Sequence, residues 1–259
     1  MKIPRHSTNL RHHDSPTEPT VSRSSRGRAI LGRKGFWLSL LIAMSPATFV
    51  VAAEPYNPAI DPANFQSTVD NPYFPLVPGT VWKYVEKAGG VTSENEVTVT
   101  HDTKMIMGVK CVVVHDVVKE KGRLKEDTRD WYAQDKQGKV WYFGEATREF
   151  KEGGAVETKG SWEGGVNGQP GIIMQADLTP GKPYRQEYSP NNAEDMGQIV
   201  AVNESVTVPA GSFKDCVKTK DWSMLESGNE YKWYAKGVGV VQAETSKGEL
   251  ETLVSIKRP

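Results

Sequence analysis

Short runs of alternating apolar and polar residues fill much of the chain. Alternation with a period of two is typical of β-strands that bury one face. The first such runs cover residues 80–86, 94–100, 109–118, 128–134 and 140–144, with glycine-containing turn signals between most of them. No stretch after residue 53 keeps apolar residues at helical spacing over three turns, so the pattern predicts an all-β fold.

Two long segments share the same order of features, residues 97–143 and 205–244. Each contains Val-Thr-Val, a glycine turn, a strand with a cysteine, a Trp-Tyr-Ala strand and a further strand. We therefore predict a duplicated antiparallel meander, although chance resemblance between meanders is an alternative. One such unit cannot cover its own apolar face, so two units should form one continuous sheet or barrel-like shell.

The chain divides into five segments on this interpretation. Six prolines in residues 54–78 remove backbone donors, which predicts an extended segment lying over the β-domain. Residues 145–180 connect the two β units and are rich in glycine. A connection of that length is typical of a lid or binding loop, so it should border any ligand site. The predicted segments are a leader at 1–53, the proline-rich segment at 54–78, a first β unit at 79–144, the glycine-rich loop at 145–180 and a second β unit at 181–259.

The leader has the features of a secretory signal peptide. Basic residues precede an apolar run at 36–51, and Ala52-Ala53 follows it. The run is shorter than the roughly 20 apolar residues that span a bilayer, so we expect no stable membrane anchor. The sequence thus predicts cleavage after Ala53 and a periplasmic or secreted protein.

Loss of the leader changes the charge of the chain. Residues 1–53 carry eight of the 32 Lys and Arg residues but two of the 32 Asp and Glu residues, which leaves a net charge of about −6. A surface of that sign repels phosphate backbones, so we expect no nucleic-acid partner.

The two cysteines of the chain are candidates for a disulfide, because the predicted compartment is oxidising. Cys111 and Cys216 occupy matching places in the two segments and could face each other between the units. The alternative is that both are small buried hydrophobic residues on separate strands.

A copper site is a weaker possibility. Strand alternation places Cys111 and His115 on one face, and Met105 and Met107 would add soft ligands. Gly108 interrupts this strand, however, and methionines on strands more often pack in a core. We therefore expect no metal and no cofactor.

Acidic and aromatic side chains supply two hypotheses about function. The first is a binding module for an apolar or amphipathic ligand or a partner protein, with Trp131, Trp162 and Trp233 lining a concavity. The alternative is an enzyme acting on extracellular glycan through two carboxyl groups beside aromatic rings. The sequence leaves open whether the protein is an enzyme. The candidate catalytic residues are Glu126, Asp130, Glu145 and Glu163.

Several motifs resemble those of uncharacterised exported bacterial β-proteins, described as domains of unknown function. They are V-P-A-G-x-F…C…W-Y-A-x-G-V-G in the second unit, and D-W-Y-A-Q-D…V-W-Y-F-G-E and G-S-W-E-G-G-V earlier in the chain. The resemblance implies a β fold and residence in the envelope or outside the cell. It implies no activity and no catalytic residues.

Overall fold

Residues 56–259 are described by a computed structural model, and they form an all-β domain, as the alternation predicts. The predicted signal peptide and its cleavage site lie outside these residues. One short 3-10 helix, Pro62–Asn64, precedes the strands, and Pro62 suits its first turn. Within residues 56–259 no helix has the length and apolarity needed to cross a membrane.

Sixteen strands build the sheet. The proline-rich segment joins it only through β1, a pair of residues. The N-terminal half of the domain consists of β1 (Phe65–Gln66), β2 (Val81–Ala88), β3 (Val91–Ile106), β4 (Val109–Glu120), β5 (Arg123–Asp135) and β6 (Val140–Phe150). The segment predicted as a glycine-rich loop contains β7 (Val156–Glu157), β8 (Trp162–Glu163) and β9 (Gln169–Met174). The C-terminal half consists of β10 (Tyr184–Arg185), β11 (Glu187–Tyr188), β12 (Asp195–Val208), β13 (Gly211–Ser223), β14 (Glu230–Ala235), β15 (Gly239–Thr245) and β16 (Leu250–Lys257).

The sheet is antiparallel and nearly closes into a barrel. Its strand order is β10-β12-β13-β14-β15-β16-β2-β3-β4-β5-β6-β9-β11. The two ends of this order, β10 and β11, are neighbours in the chain. Residues 184–188 therefore bond both edges, since Tyr184 pairs with Gly197 of β12 and Glu187 pairs with Pro170 of β9. A single extended segment thus completes the barrel-like shell that the sequence predicts.

A close backbone contact accompanies this closure. A Cβ atom placed on Gly171 of β9 would lie 2.3 Å from the carbonyl carbon of Gln186. Gln186 itself donates its backbone N–H to the carbonyl oxygen of Asp195, at 2.9 Å. Residue 171 has to be glycine for the closing segment to lie this near to β9.

The two five-stranded meanders, β2–β6 and β12–β16, agree in register around their Trp-Tyr-Ala segments. The residue after the cysteine lies opposite the tyrosine in both, Val112 opposite Tyr132 and Val217 opposite Tyr234. In both, the pairing with the following strand is irregular between the tryptophan and the tyrosine. Equivalent positions in the two meanders can therefore be compared residue by residue.

Strand alternation gives the barrel wall an inner and an outer face. The tyrosines of both Trp-Tyr-Ala segments point inward and are fully buried. The ring of Phe74, from the proline-rich segment, lies 5.4 Å from that of Tyr132 and 6.4 Å from that of Tyr234. The proline-rich segment thus packs its phenylalanine against the interior aromatic residues of both meanders.

Candidate functional site

The barrel interior holds an unusual number of buried acidic side chains. Buried carboxyl groups are costly unless they are paired, hydrogen-bonded or protonated. Lys232 is the single buried lysine or arginine among residues 56–259. The buried acids on inward-facing positions are Asp116, Glu126, Asp130, Glu187, Asp195, Asp221, Glu230 and Glu251.

Lys232 forms ion pairs with two acids of the second meander. Its ammonium nitrogen lies 3.1 Å from Asp221 Oδ2 and 3.0 Å from Glu230 Oε2. The three side chains are almost fully buried, so water screens these ion pairs weakly. Removing one member of such a group leaves an uncompensated buried charge.

Among residues 56–259, no lysine or arginine forms an ion pair with Asp116 of the first meander. Asp116 is 1 % exposed, and within these residues neither of its carboxylate oxygens has a hydrogen-bond partner. Burial raises the pKa of Asp116 well above its usual range, and the negative charges of Asp130, Glu126 and Glu251 raise it further. The carboxyl group therefore favours its neutral form or the company of a cation.

Two further acids form a pair between β16 and β2. Glu251 lies opposite Glu86, and Asn95 donates from Nδ2 to Glu251 Oε1 at 3.2 Å. Burial, with the charges of Glu86 and Glu230, raises the pKa of Glu251 to about 8 despite the Asn95 hydrogen bond and the nearby Lys232. Burial, with the charge of Glu249, raises the pKa of Glu86 to about 7.

The four acids predicted as catalytic candidates are divided between the two faces of the barrel wall. Glu126 and Asp130 point inward from β5, and Asp130 lies opposite Glu145 of β6. The Tyr142 hydroxyl donates to Asp130 Oδ1 at 2.6 Å. Glu163 instead forms an ion pair with Lys104 at 2.7 Å. Asp130 and Glu145 are thus neighbours, while Glu163 is paired with a base.

The three predicted ligand-binding tryptophans do not share one surface. Trp131 belongs to an apolar cluster with Cys111 and Phe143 on the face opposite to Tyr132. Trp233 precedes the inward-facing Tyr234 and so points outward, where Lys218 Nζ lies 4.5 Å from its ring centre.

Trp162 is the tryptophan of this set that reaches the interior acids. Its indole N–H donates to Glu187 Oε2 at 2.8 Å, and its ring meets that of Tyr142 edge-on at 5.5 Å. It is 2 % exposed, so it fills the interior and leaves little ring surface for a ligand.

The predicted disulfide is absent, because Cys111 and Cys216 are both free and buried. Cys111 lies on β4 and Cys216 on β13, with β14, β15, β16, β2 and β3 between them in the sheet. Neighbouring strands lie about 4.8 Å apart, whereas a disulfide needs Cα atoms within about 7 Å. Equivalent positions in the two meanders lie on different sides of the barrel, so the cysteines cannot meet.

The side chains considered as copper ligands, Cys111, His115, Met105 and Met107, do not form one site. Cys111 is fully buried while Met105 is 62 % exposed, and His115 Nε2 lies 3.2 Å from Asp127 Oδ1. Across residues 56–259 no group of three or more His, Cys, Asp or Glu side chains is arranged to hold a metal ion.

An apolar pocket lies between the proline-rich segment and the barrel. About 220 Å³ of unfilled space lies between its lining residues with open solvent included, and about 10 Å³ of this admits the centre of a water-sized sphere. Two carbonyl oxygens at the start of β15 accept hydrogen bonds in its wall, Val238 from the Trp82 indole at 2.9 Å and Val240 from the Tyr84 hydroxyl at 3.0 Å. The lining residues are Phe74, Pro75, Leu76, Trp82, Tyr84, Val238, Gly239 and Val240.

The sequence prediction missed this pocket, although one signal for it was present. Period-two alternation places Trp82 and Tyr84 on the same face of β2. The contribution of residues 74–76 depends on where the proline-rich segment packs, and local pattern does not specify that contact.

In a comparison with known protein families, the second meander matches a family model. A family model described as DUF3108-like matches residues 190–257, which include β12–β16. No curated protein matches the chain.

Two solved structures are similar to the chain at 18 % sequence identity. One is a protein from Bacteroides fragilis NCTC 9343, described as exported and with a YmcC-like fold; the likeness covers 72 % of this chain and 99 % of that one, with a TM-score of 0.45. The other is from Parabacteroides distasonis ATCC 8503 and is described as a lipoprotein; the likeness covers 74 % and 100 % of the two chains, with a TM-score of 0.44. Likeness at this level says nothing about what the present chain binds.

Proposed function

We propose that the chain is an exported protein, periplasmic or secreted, that binds a small apolar or amphipathic molecule between its proline-rich segment and the barrel. Export is supported by the charged, apolar and small-residue order of residues 1–53. The observation that carries the binding function is the apolar pocket between residues 74–76 and β2 and β15.

The chemistry of the pocket favours an apolar group with few polar contacts. Aromatic and aliphatic side chains form most of its wall, which is typical of small-molecule sites. The polar atoms of Trp82 and Tyr84 are already hydrogen-bonded to backbone carbonyl groups. The unfilled space is small and partly open to solvent, so the pocket suits one small apolar group, such as a single ring, better than a large ligand.

Burial of Glu126 and Asp130, two of the four candidate catalytic acids, favours binding over glycan hydrolysis. Glycan hydrolysis requires two carboxyl groups on either side of a glycosidic bond. Asp130 is 1 % exposed and Glu126 is 5 % exposed, so neither carboxyl group lies on an open surface along which a polysaccharide chain could bind. Glu163 has Lys104 as its ion-pair partner.

The binding function can be tested by calorimetry with 2-phenylethanol as the probe. Val238→Phe places a larger side chain in the pocket wall and should weaken binding at least about tenfold, which corresponds to 1.4 kcal/mol. Val208→Phe is the matched control, because Val208 is similarly buried at 7 % exposure but does not line the pocket. Equal binding by both variants and the wild type would assign the probe to another site, and no binding by the wild type would contradict the proposed function.

A further inference from the structure

Two aspartates lie at equivalent positions of the two meanders. Asp116 and Asp221 each follow a cysteine by five residues, and both face the interior. Because the cysteine strands pair with the Trp-Tyr-Ala strands in the same register, the two carboxyl groups have equivalent neighbours on the next strand.

The residue just before the tryptophan differs between these neighbouring strands. In the second meander it is Lys232, whose ammonium nitrogen lies 3.1 Å from Asp221 Oδ2. In the first meander the same position is Asp130. The aspartate of the first meander therefore meets an acid where its counterpart meets an ammonium group.

Asp116 is consequently a buried acceptor without a donor among residues 56–259. Both of its oxygens lack a hydrogen-bond partner there at 1 % exposure. Within the same residues, the charged groups that act on it are the acids Asp130 and Glu126 of β5 and Glu251 of β16. An ammonium group placed here would receive strong attraction from several carboxylates in a medium of low dielectric constant.

We propose that Asp116 binds the ammonium group of a small amine, in the manner in which Asp221 binds the ammonium group of Lys232. The acids do not form a group of three or more that could hold a metal ion within residues 56–259, whereas an ammonium group needs only hydrogen-bond acceptors. The ligand class is therefore a primary amine with an apolar body.

The apolar body has a place beside this site. Trp82 lines the apolar pocket, and Val97 of β3 lies opposite both Trp82 of β2 and Asp116 of β4. A ligand whose apolar part occupies the pocket thus directs its amine past Val97 towards Asp116. In this respect the inference rests on the proposed binding function and specifies the charge of the ligand.

Phenethylamine and 2-phenylethanol form a matched pair of probes, since they differ in the ammonium group. We expect calorimetry of the mature protein at pH 7.5 to show binding of the amine at least about tenfold tighter than the alcohol. Asp116→Asn should abolish this preference and retain alcohol binding. Glu96→Gln, a change at an exposed acid that pairs with Lys83, should retain both.

Asp130→Lys provides a second test that does not remove Asp116. It installs the lysine of the second meander in the first, and its ammonium group should occupy the amine position. Phenethylamine should then bind no better than 2-phenylethanol, with the fold retained by circular dichroism.

The outcomes separate the inference from the proposed function. Equal binding of amine and alcohol to the wild type, or an amine preference that survives Asp116→Asn or Asp130→Lys, would overturn the inference and leave the apolar pocket in place. Absence of binding for both probes would overturn the inference together with the proposed function.

Discussion

Asp116 and Asp221 occupy equivalent inward positions, and the Lys232 ammonium nitrogen lies 3.1 Å from Asp221. Among residues 56–259, Asp116 has neither an ion-pair partner nor a hydrogen-bond partner. The same backbone register therefore supports two different electrostatic environments. The charge state of the interior acids can therefore be tested by stability measurements on variants and by the pH dependence of stability.

The first prediction concerns the ion pairs of Lys232. Lys232→Met keeps the length of the side chain but leaves Asp221 and Glu230 without their cation, so the free energy of unfolding should fall by about 3–5 kcal/mol. Urea denaturation measures this loss.

Lys83→Met is the control for that change. The Lys83–Glu96 pair is 61 % and 52 % exposed, so its removal should cost less than about 1 kcal/mol. Equal losses for the two variants would contradict the assignment of Lys232 to the barrel interior.

The second prediction concerns pH. Because the folded-state pKa of Glu251, about 8, lies above its ordinary value of 4.5, folding binds a proton there between these two pH values. Stability from this group is complete below about pH 4.5 and declines by at most about 1.4 kcal/mol per pH unit until about pH 8. Glu86 acts in the same direction, up to about pH 7.

Urea denaturation between pH 5 and pH 8.5 tests this sign. Glu251→Gln should show a shallower decline in stability than the wild type, and Glu96→Gln should follow the wild type. A wild-type profile that rises across this range, or one that Glu251→Gln leaves unchanged, would show that Glu251 is ionised in the folded protein.

The third prediction concerns barrel closure. A Cβ at Gly171 would lie 2.3 Å from the carbonyl carbon of Gln186, so Gly171→Ala should push residues 184–188 away from β9. Amide hydrogens of that segment should then exchange faster, and the protein should lose about 1–3 kcal/mol of stability, as overpacked sites do.

Gly181→Ala is the matched substitution, because its Cβ would make an ordinary contact at 3.6 Å. It should leave the exchange of residues 184–188 unchanged. Similar exchange in both variants would mean that the closing segment does not approach β9 as described.

The fourth prediction concerns the thiols. Cys111 and Cys216 are free and buried, and burial raises the pKa of the Cys111 thiol to about 12. A thiol reagent should therefore label neither residue in the folded protein and both in urea without reductant. Denatured, unreduced protein that fails to react would instead indicate an oxidised pair.

Period-two alternation predicts the class of fold correctly, because β-strands with one buried face have an unmistakable signature. The first four predicted runs overlap β2, β3, β4 and β5, and residues 140–144 begin β6. The apolar faces left uncovered by single meanders also predict one continuous sheet or barrel-like shell, and the structure has a sheet nearly closed into a barrel. The duplication itself stays a prediction, supported by the matching registers of the Trp-Tyr-Ala segments.

Inward and outward positions are harder to assign from sequence. In Trp-Tyr-Ala the larger ring suggests the interior, but the structure buries Tyr132 and Tyr234 inside and places Trp131 in an outer apolar cluster. Alternation fixes that neighbouring residues point to opposite faces; it does not say which face is inside.

The sequence also does not show whether the acids of the strands point into the barrel or towards solvent. A surface strand and a polar barrel interior have similar alternation, so Glu126 and Asp130 fit both. The recurrence of an aspartate five residues after each cysteine is a signal that the sequence contains. Its meaning depends on Lys232 and Asp130, whose contacts arise only when the strands pair.

The most direct test of the account is the response of the tryptophan indole N–H signals to 2-phenylethanol, measured by NMR with the protein lacking residues 1–53. The account predicts that the Trp82 signal shifts most, because Trp82 lines the pocket, while Trp222 and Trp233 on the outer face stay unchanged. Shifts confined to Trp222 and Trp233, with Trp82 unaffected, would contradict binding between the proline-rich segment and the barrel.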